Sequence, residues 1–185
     1  MRLFRPLLAL AALSFAVLAA GAGRTDPVVW YDPGKVTDLS FGVFCPRAPD
    51  LRTEESNTLH GTANVYDEIP ALLRQTQTIP AIDGAMFGVR FRYQNRSAPK
   101  VLLRVDHPPL GPDWKRVETL TVVWDSDVMS FNNYTLDLGD GDPKGVWTLS
   151  GSSDGHNLFR VEFEVTYPTP ATLAEHKQCD VKQVS

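Results

Sequence analysis

From Phe159 to Tyr167 the apolar residues Phe159, Val161, Phe163, Val165 and Tyr167 alternate with Arg160, Glu162, Glu164 and Thr166. On a helix that period would scatter the apolar side chains around the whole circumference; on a strand it puts them all on one side. The pattern recurs in Phe87, Val89, Phe91 and Tyr93, in Val101, Leu103 and Val105, in Leu120, Val122 and Trp124, and in Tyr134, Leu136 and Leu138. Leu39, Phe41, Val43 and Cys45 share one parity near the start. A strand with one apolar face needs a second layer to cover it. Turn-forming clusters separate the strands: NRSAP at 95–99, HPPLGPD at 107–113, GDGDPKG at 139–145 and SSDG at 152–155. With no long helical periodicity, the pattern predicts an all-β fold, an immunoglobulin-like antiparallel β-sandwich of about seven to eight strands. Residues 46–70 are polar and irregular and read as a long surface loop. Leu72 to Ile79 reads as one more edge strand ended by Pro80, and Ala171 to Cys179 as a short helix or turn.

The ends of the chain set its expected address. Arg2 and Arg5 precede an apolar run from Leu7 to Ala20, and Ala20-Gly21-Ala22 offers a small-residue cleavage site, the pattern of a secretory signal peptide over 1–22. The run is about 14 residues, short of the roughly 20 that cross a bilayer as a helix, so no membrane span is expected after cleavage. The remaining organisation reads as an N-terminal segment at 23–35, a β-sandwich domain at 36–167 and a C-terminal tail at 168–185. A formal net charge of −4, made more negative by removal of Arg2 and Arg5, with no clustering of Lys and Arg, argues against a nucleic-acid partner. The only two cysteines, Cys45 and Cys179, lie near the two ends of the folded region. In an exported chain they read as a disulfide worth up to about 4 to 5 kcal/mol by loop entropy.

One stretch has a direct claim to chemistry. Gly151-Ser152-Ser153-Asp154-Gly155 fits the G-x-S-x-G pattern of serine hydrolases, which places its nucleophile between a strand and a helix. Here alternating segments flank the turn on both sides and Asp154-Gly155 is a favoured hairpin signal, so the reading is a hairpin and no catalytic residue is assigned. Trp147 on the incoming segment reads as a core side chain. Asp137, Asp140 and Asp142 could offer oxygens to calcium, but without the spacing of an EF-hand loop. His60, His107, His156 and His176 are scattered and form no zinc motif. The acidic pairs Glu54-Glu55 and Asp67-Glu68 read as solvated. No cofactor and no metal site is expected. The rigid, proline-rich loop running from His107 through Pro108, Pro109 and Leu110 to Trp114 is the candidate partner-binding surface.

Three stretches together, TIPAIDGAMFGVRFR (78–92), HPPLGP (107–112) and GVWTL with LFRVEFEV (145–165), resemble bacterial exported proteins that carry domain of unknown function 3859. The similarity runs over roughly residues 36–167. Its features map to Ile79-Pro80-Ala81, Phe87-Gly88, Pro108-Pro109, Trp147-Thr148 and Phe163-Glu164-Val165. The resemblance implies export and the sandwich and brings no activity with it. The expectation is a periplasmic or secreted module of a Gram-negative bacterium, non-catalytic, binding an envelope protein or another cell-envelope ligand. A hydrolase or carbohydrate-active enzyme and a calcium-dependent adhesion module are the alternatives.

Overall fold

A computed structural model describes residues 27–94, 100–109, 116–123 and 128–179. Among them are twelve strands and one short helix. One sheet follows the order β1 (Val29–Tyr31), β12 (His156–Thr166), β11 (Gly145–Ser153), β8 (Lys100–Asp106) and β9 (Val117–Val123). The other runs β10 (Met129–Thr135), β7 (Met86–Tyr93), β2 (Val36–Phe44) and β5 (Leu72–Arg74). Every pairing within these orders is antiparallel. The exception lies beyond them: β6 (Thr78–Pro80) runs parallel to β12 beside Glu164 to Thr166, just past the three residues of β12 that β1 pairs. Gln77 Nε2 donates to both Val28 O and Glu162 O, fastening that composite edge.

The alternation places Phe87, Val89 and Phe91 of one sheet against Trp147, Leu149, Phe159, Val161 and Phe163 of the other, all fully buried. Rings cross the interface, Phe91 on Phe159 with centroids 4.5 Å apart and Phe87 on Phe163 at 5.2 Å. Each such side chain contributes about 1.5–3 kcal/mol by leaving water. Gly151, paired with Phe159, is needed for packing, since a Cβ there would collide with the Phe159 ring. The fold is thus an all-β, immunoglobulin-like antiparallel sandwich.

The strand count exceeds the seven to eight expected because several strands are only three or four residues long. Residues 46–70 are not a plain loop. They carry the hairpin β3 (Leu51–Glu54) and β4 (Thr62–Val65), a separate two-stranded unit. Its side chains are almost all exposed, so no buried face imposes an alternation on the sequence. Leu72 to Ile79 is not one strand either. It divides into β5 and β6, which belong to opposite sheets, and the chain crosses between them at Gln75 to Gln77. The tail forms α1 (Pro170–His176), capped by Thr169, whose hydroxyl accepts from Thr172 N while Thr172 Oγ1 accepts from Thr169 N. Just beyond it Cys179 is joined to Cys45 by a disulfide, with both residues buried. No described helix is long and apolar enough to cross a membrane.

Candidate functional site

The tip of the β11–β12 hairpin settles the geometry around Ser153. Asp154 and Gly155 have φ of 50° and 77°, both left-handed, as a two-residue primed turn requires. The chain then continues as strand from His156. Ser153 is buried and its Oγ donates to Lys100 O at 3.0 Å, and His156, its partner across the ladder, is exposed. The hydroxyl is spent on a structural bond, and no helix stands behind it. The carboxylates of Asp137 and Asp142 are likewise engaged locally, while that of Asp140 is exposed. Asp142 Oδ1 accepts from the Tyr134 hydroxyl and Oδ2 from Asp137 N, while Asp137 Oδ1 accepts from Asp140 N. Among the described residues no three His, Cys, Asp or Glu side chains converge as metal ligands.

Of the described residues in the proline-rich stretch, His107 departs from the expected surface. His107 continues the inward parity of Val101, Leu103 and Val105, and its imidazole is fully buried, stacked on Trp147 with ring centroids 4.9 Å apart. It cannot meet a partner. Pro108 packs near Gly145, and Pro109 is exposed. Leu110 and Trp114, like the signal segment and Trp124, lie outside the described residues.

What the structure assembles instead is a cleft at one open side of the sandwich. There β9 is the last strand of its sheet and β10 the last of the other. The segment carrying β3 and β4 roofs the gap. It is tied to β9 by the bond from Thr119 N to Asn57 O, 3.3 Å, and to the β10–β11 turn by His60 Nδ1 and Asp140 Oδ2, 3.5 Å apart. On the flank, Phe131 is held between Phe44 and Tyr66. The cleft has a volume of about 160 Å³ and is lined from all three sides, among others by Leu103 and Glu118, by Asn132 and Asn133, and by Thr62 of the roof. Among the described residues no Lys or Arg lines it.

Glu118 is the centre of this arrangement. It sits at the inward parity of Leu120 and Val122, where an apolar residue would be ordinary, and its side chain is only 8% exposed. Oε2 accepts from Leu59 N of the roof at 2.7 Å. Oε1 lies 3.7 Å from His107 Nε2, and both atoms are buried without a hydrogen-bond partner among the described residues. His107 Nδ1 lies 2.9 Å from Pro108 O; a carbonyl only accepts, so Nδ1 is the donor of that bond. Burial, the largest influence, raises the Glu118 pKa above its ordinary value, against the Leu59 N–H bond and the charge of His107. Burial also raises Asp142 and, helped by the charge of Glu118 and Asp142, Tyr134.

The sequence did carry a signal for this site: polar residues at core-facing positions, namely His107 on the parity of β8, Glu118 on that of β9 and Asn132 on that of Tyr134 and Leu136. In sequence His107 reads as one of four scattered histidines, and Glu118 and Asn132 are not singled out.

A family model described as domain of unknown function (DUF3859) matches residues 34–165. No curated protein matches the chain. Among solved structures, an immunoglobulin-like protein from Pseudomonas aeruginosa is similar at 21% identity, covering 75% of this chain and 97% of its own, with a TM-score of 0.47. A β-glucosidase from Listeria innocua in complex with isofagomine is similar at 13% identity, covering 69% of this chain and 23% of its own, with a TM-score of 0.31.

Proposed function

This chain belongs to the family of domain of unknown function DUF3859, and from that premise we propose that it is an exported, non-catalytic binding module whose contact site is the roofed cleft between β9 and β10. The observation that carries the reading is the cleft itself: a cavity of about 160 Å³ lined by polar groups from both sheet edges and the roof. Polar side chains on core-facing positions carry a desolvation cost unless they are satisfied, and a concave site with convergent polar groups is the arrangement binding sites use. Export is supported by the N-terminal charge and apolar pattern and by a disulfide that spans 134 residues, a bond that persists in oxidising compartments. A periplasmic address would make the ligand a cell-envelope component. The hydrolase alternative is weakened by the engaged Ser153 hydroxyl, and the calcium alternative by carboxylates that accept from their own turn.

The test is a ligand screen of the exported chain by protein-observed NMR, using low-molecular-weight fractions of a bacterial envelope. Binding should perturb the amides of Thr62, Thr119 and Asn133 together. Perturbations confined to the opposite edge, at β1 and β6, would contradict the assignment.

A further inference from the structure

The main chain that lines the cleft restricts what can occupy it. Resting on the binding reading above, we propose that the cleft takes an extended segment of another polypeptide, which adds to the edge of β10 as a further strand. The lining includes every residue of β10 from Phe131 to Thr135. Successive side chains of a strand leave on opposite faces, so consecutive residues of both parities meet one cavity only along the strand's edge.

The ladder shows which backbone groups point there. Leu136 N donates to Ala85 O at 2.9 Å and Leu136 O accepts from Gly84 N at 2.9 Å, so this residue faces the chain entering β7. Backbone direction reverses at each residue of an antiparallel strand, and the register of β10 on β7 is unbroken. Tyr134 and Asn132 therefore face β7, in keeping with the close approach of Asn132 O to Gly88. Phe131, Asn133 and Thr135 turn their N–H and C=O groups to the cleft, where among the described residues these backbone groups have no hydrogen-bond partner.

The roof presents a second edge. Thr62, Ala63 and Asn64 of β4 line the cleft consecutively as well. Gly61 O and Val65 O accept from Glu55 N and Asp50 N, so the alternate residues Thr62 and Asn64 direct their backbone away from β3. Thr62 O is taken by Thr58 Oγ1. No ladder joins β4 to β10, so each edge keeps its capacity for a guest. The edge of β9 differs, since Thr119 N is already bonded to Asn57 O.

Alternating N–H and C=O groups are what an extended peptide supplies, and strand addition takes its affinity from main-chain bonds and its selectivity from alternate side chains. A guest continuing the sheet of β10 sends every second side chain toward Leu103 and Leu120, which line the same cleft from the facing sheet. Apolar residues at alternate positions are therefore favoured. A second copy of the sandwich is disfavoured, because the roof, tied to β9 and to the β10–β11 turn, stands over this edge.

The experiment selects binders to the disulfide-intact exported chain from a phage-displayed heptapeptide library, then follows the best synthetic peptide by NMR and amide hydrogen exchange. Selected sequences should alternate apolar and polar residues. Binding should slow exchange at Phe131, Asn133 and Thr135, whose amides are unpaired in the free protein, and change Asn132 and Tyr134 little. Asn133→Pro removes an outward N–H that the fold does not use; it should weaken binding about tenfold, with thermal melting as the folding control. An N-methylated copy of the peptide, blocked at the alternate residues that face β10, should lose binding by at least the same factor and leaves the protein unaltered. Peptide binding without protection of the three amides, or undiminished binding of the N-methylated peptide, would overturn the strand assignment. A cleft binder from the envelope screen alongside no cleft-binding peptide would overturn it while leaving the binding function standing. No cleft binder in either experiment would remove both.

Discussion

Replacing Glu118 probes the one buried acid that joins a sheet edge to the roof. In Glu118→Ala the Leu59 N–H, held at 2.7 Å by Oε2, is left without its acceptor, and an unsatisfied buried donor costs about 1–3 kcal/mol. His107 Nε2 loses the carboxylate that faces it and the removed side chain leaves a void, while the relief of no longer burying a carboxyl offsets part of the loss. The expected net cost is about 2–4 kcal/mol at neutral pH. Glu118→Gln keeps a carbonyl for Leu59 N–H and brings an amide N–H toward His107 Nε2, so it should stay within about 1 kcal/mol of wild type. The two variants also differ in pH response. Burial sets the folded pKa of Glu118 above the ordinary 4.5, so the native state holds this proton more tightly than the unfolded chain. The stability this proton gives is complete below about 4.5 and is lost as pH rises through the folded value. Wild type should therefore lose stability relative to Glu118→Gln as pH rises above 4.5. Asp142, whose pKa burial also raises, titrates in both proteins and cancels from the difference. Urea unfolding of the three proteins from pH 4 to 8, disulfide intact, measures all of this. A cost below about 0.5 kcal/mol for the alanine variant, a glutamine variant as unstable as the alanine one, or a wild-type advantage that grows with pH would each refute the reasoning.

Replacing Cys45 and Cys179 together by Ala should lower unfolding free energy by about 2–5 kcal/mol, from the long loop the disulfide closes; chemical denaturation of the two proteins checks it. Ser153→Ala should cost about 1 kcal/mol through the lost bond to Lys100 O, and fluorophosphonate labelling should be absent in both proteins. Trp147→Ala, which empties a fully buried site and removes the donor to Pro143 O, should cost about 3–5 kcal/mol by thermal unfolding. Gly155→Val, forced to φ of 77°, should destabilise the hairpin by about 1–2 kcal/mol, read as earlier hydrogen exchange at Ser153 and His156.

The sandwich was legible because its strands are buried on one face: Phe87 to Tyr93 and Phe159 to Val165 write their environment into every second residue. The disulfide was legible because two cysteines leave one pairing. The β3–β4 hairpin was not, since Leu51 is 58% exposed and its neighbours are open to water, leaving burial no pattern to print. The split at Gln75 to Gln77 was hidden for a related reason: β5 and β6 are three residues each, too short for a period to show. The cleft was half legible. His107, Glu118 and Asn132 stand at inward positions, yet their meeting depends on which strands end each sheet, and that order is a long-range property no local pattern contains.

Hydrogen exchange at the Leu59 amide tests most directly whether the roof is fixed over the cleft by Glu118. Leu59 belongs to neither β3 nor β4, and its N–H bonds to Glu118. It should exchange about tenfold or more slowly against its intrinsic rate in wild type and Glu118→Gln, the protection conferred by each 1.4 kcal/mol of opening free energy, and lose that protection in Glu118→Ala. An unprotected Leu59 in the wild-type protein, or one equally protected in all three, would contradict the account.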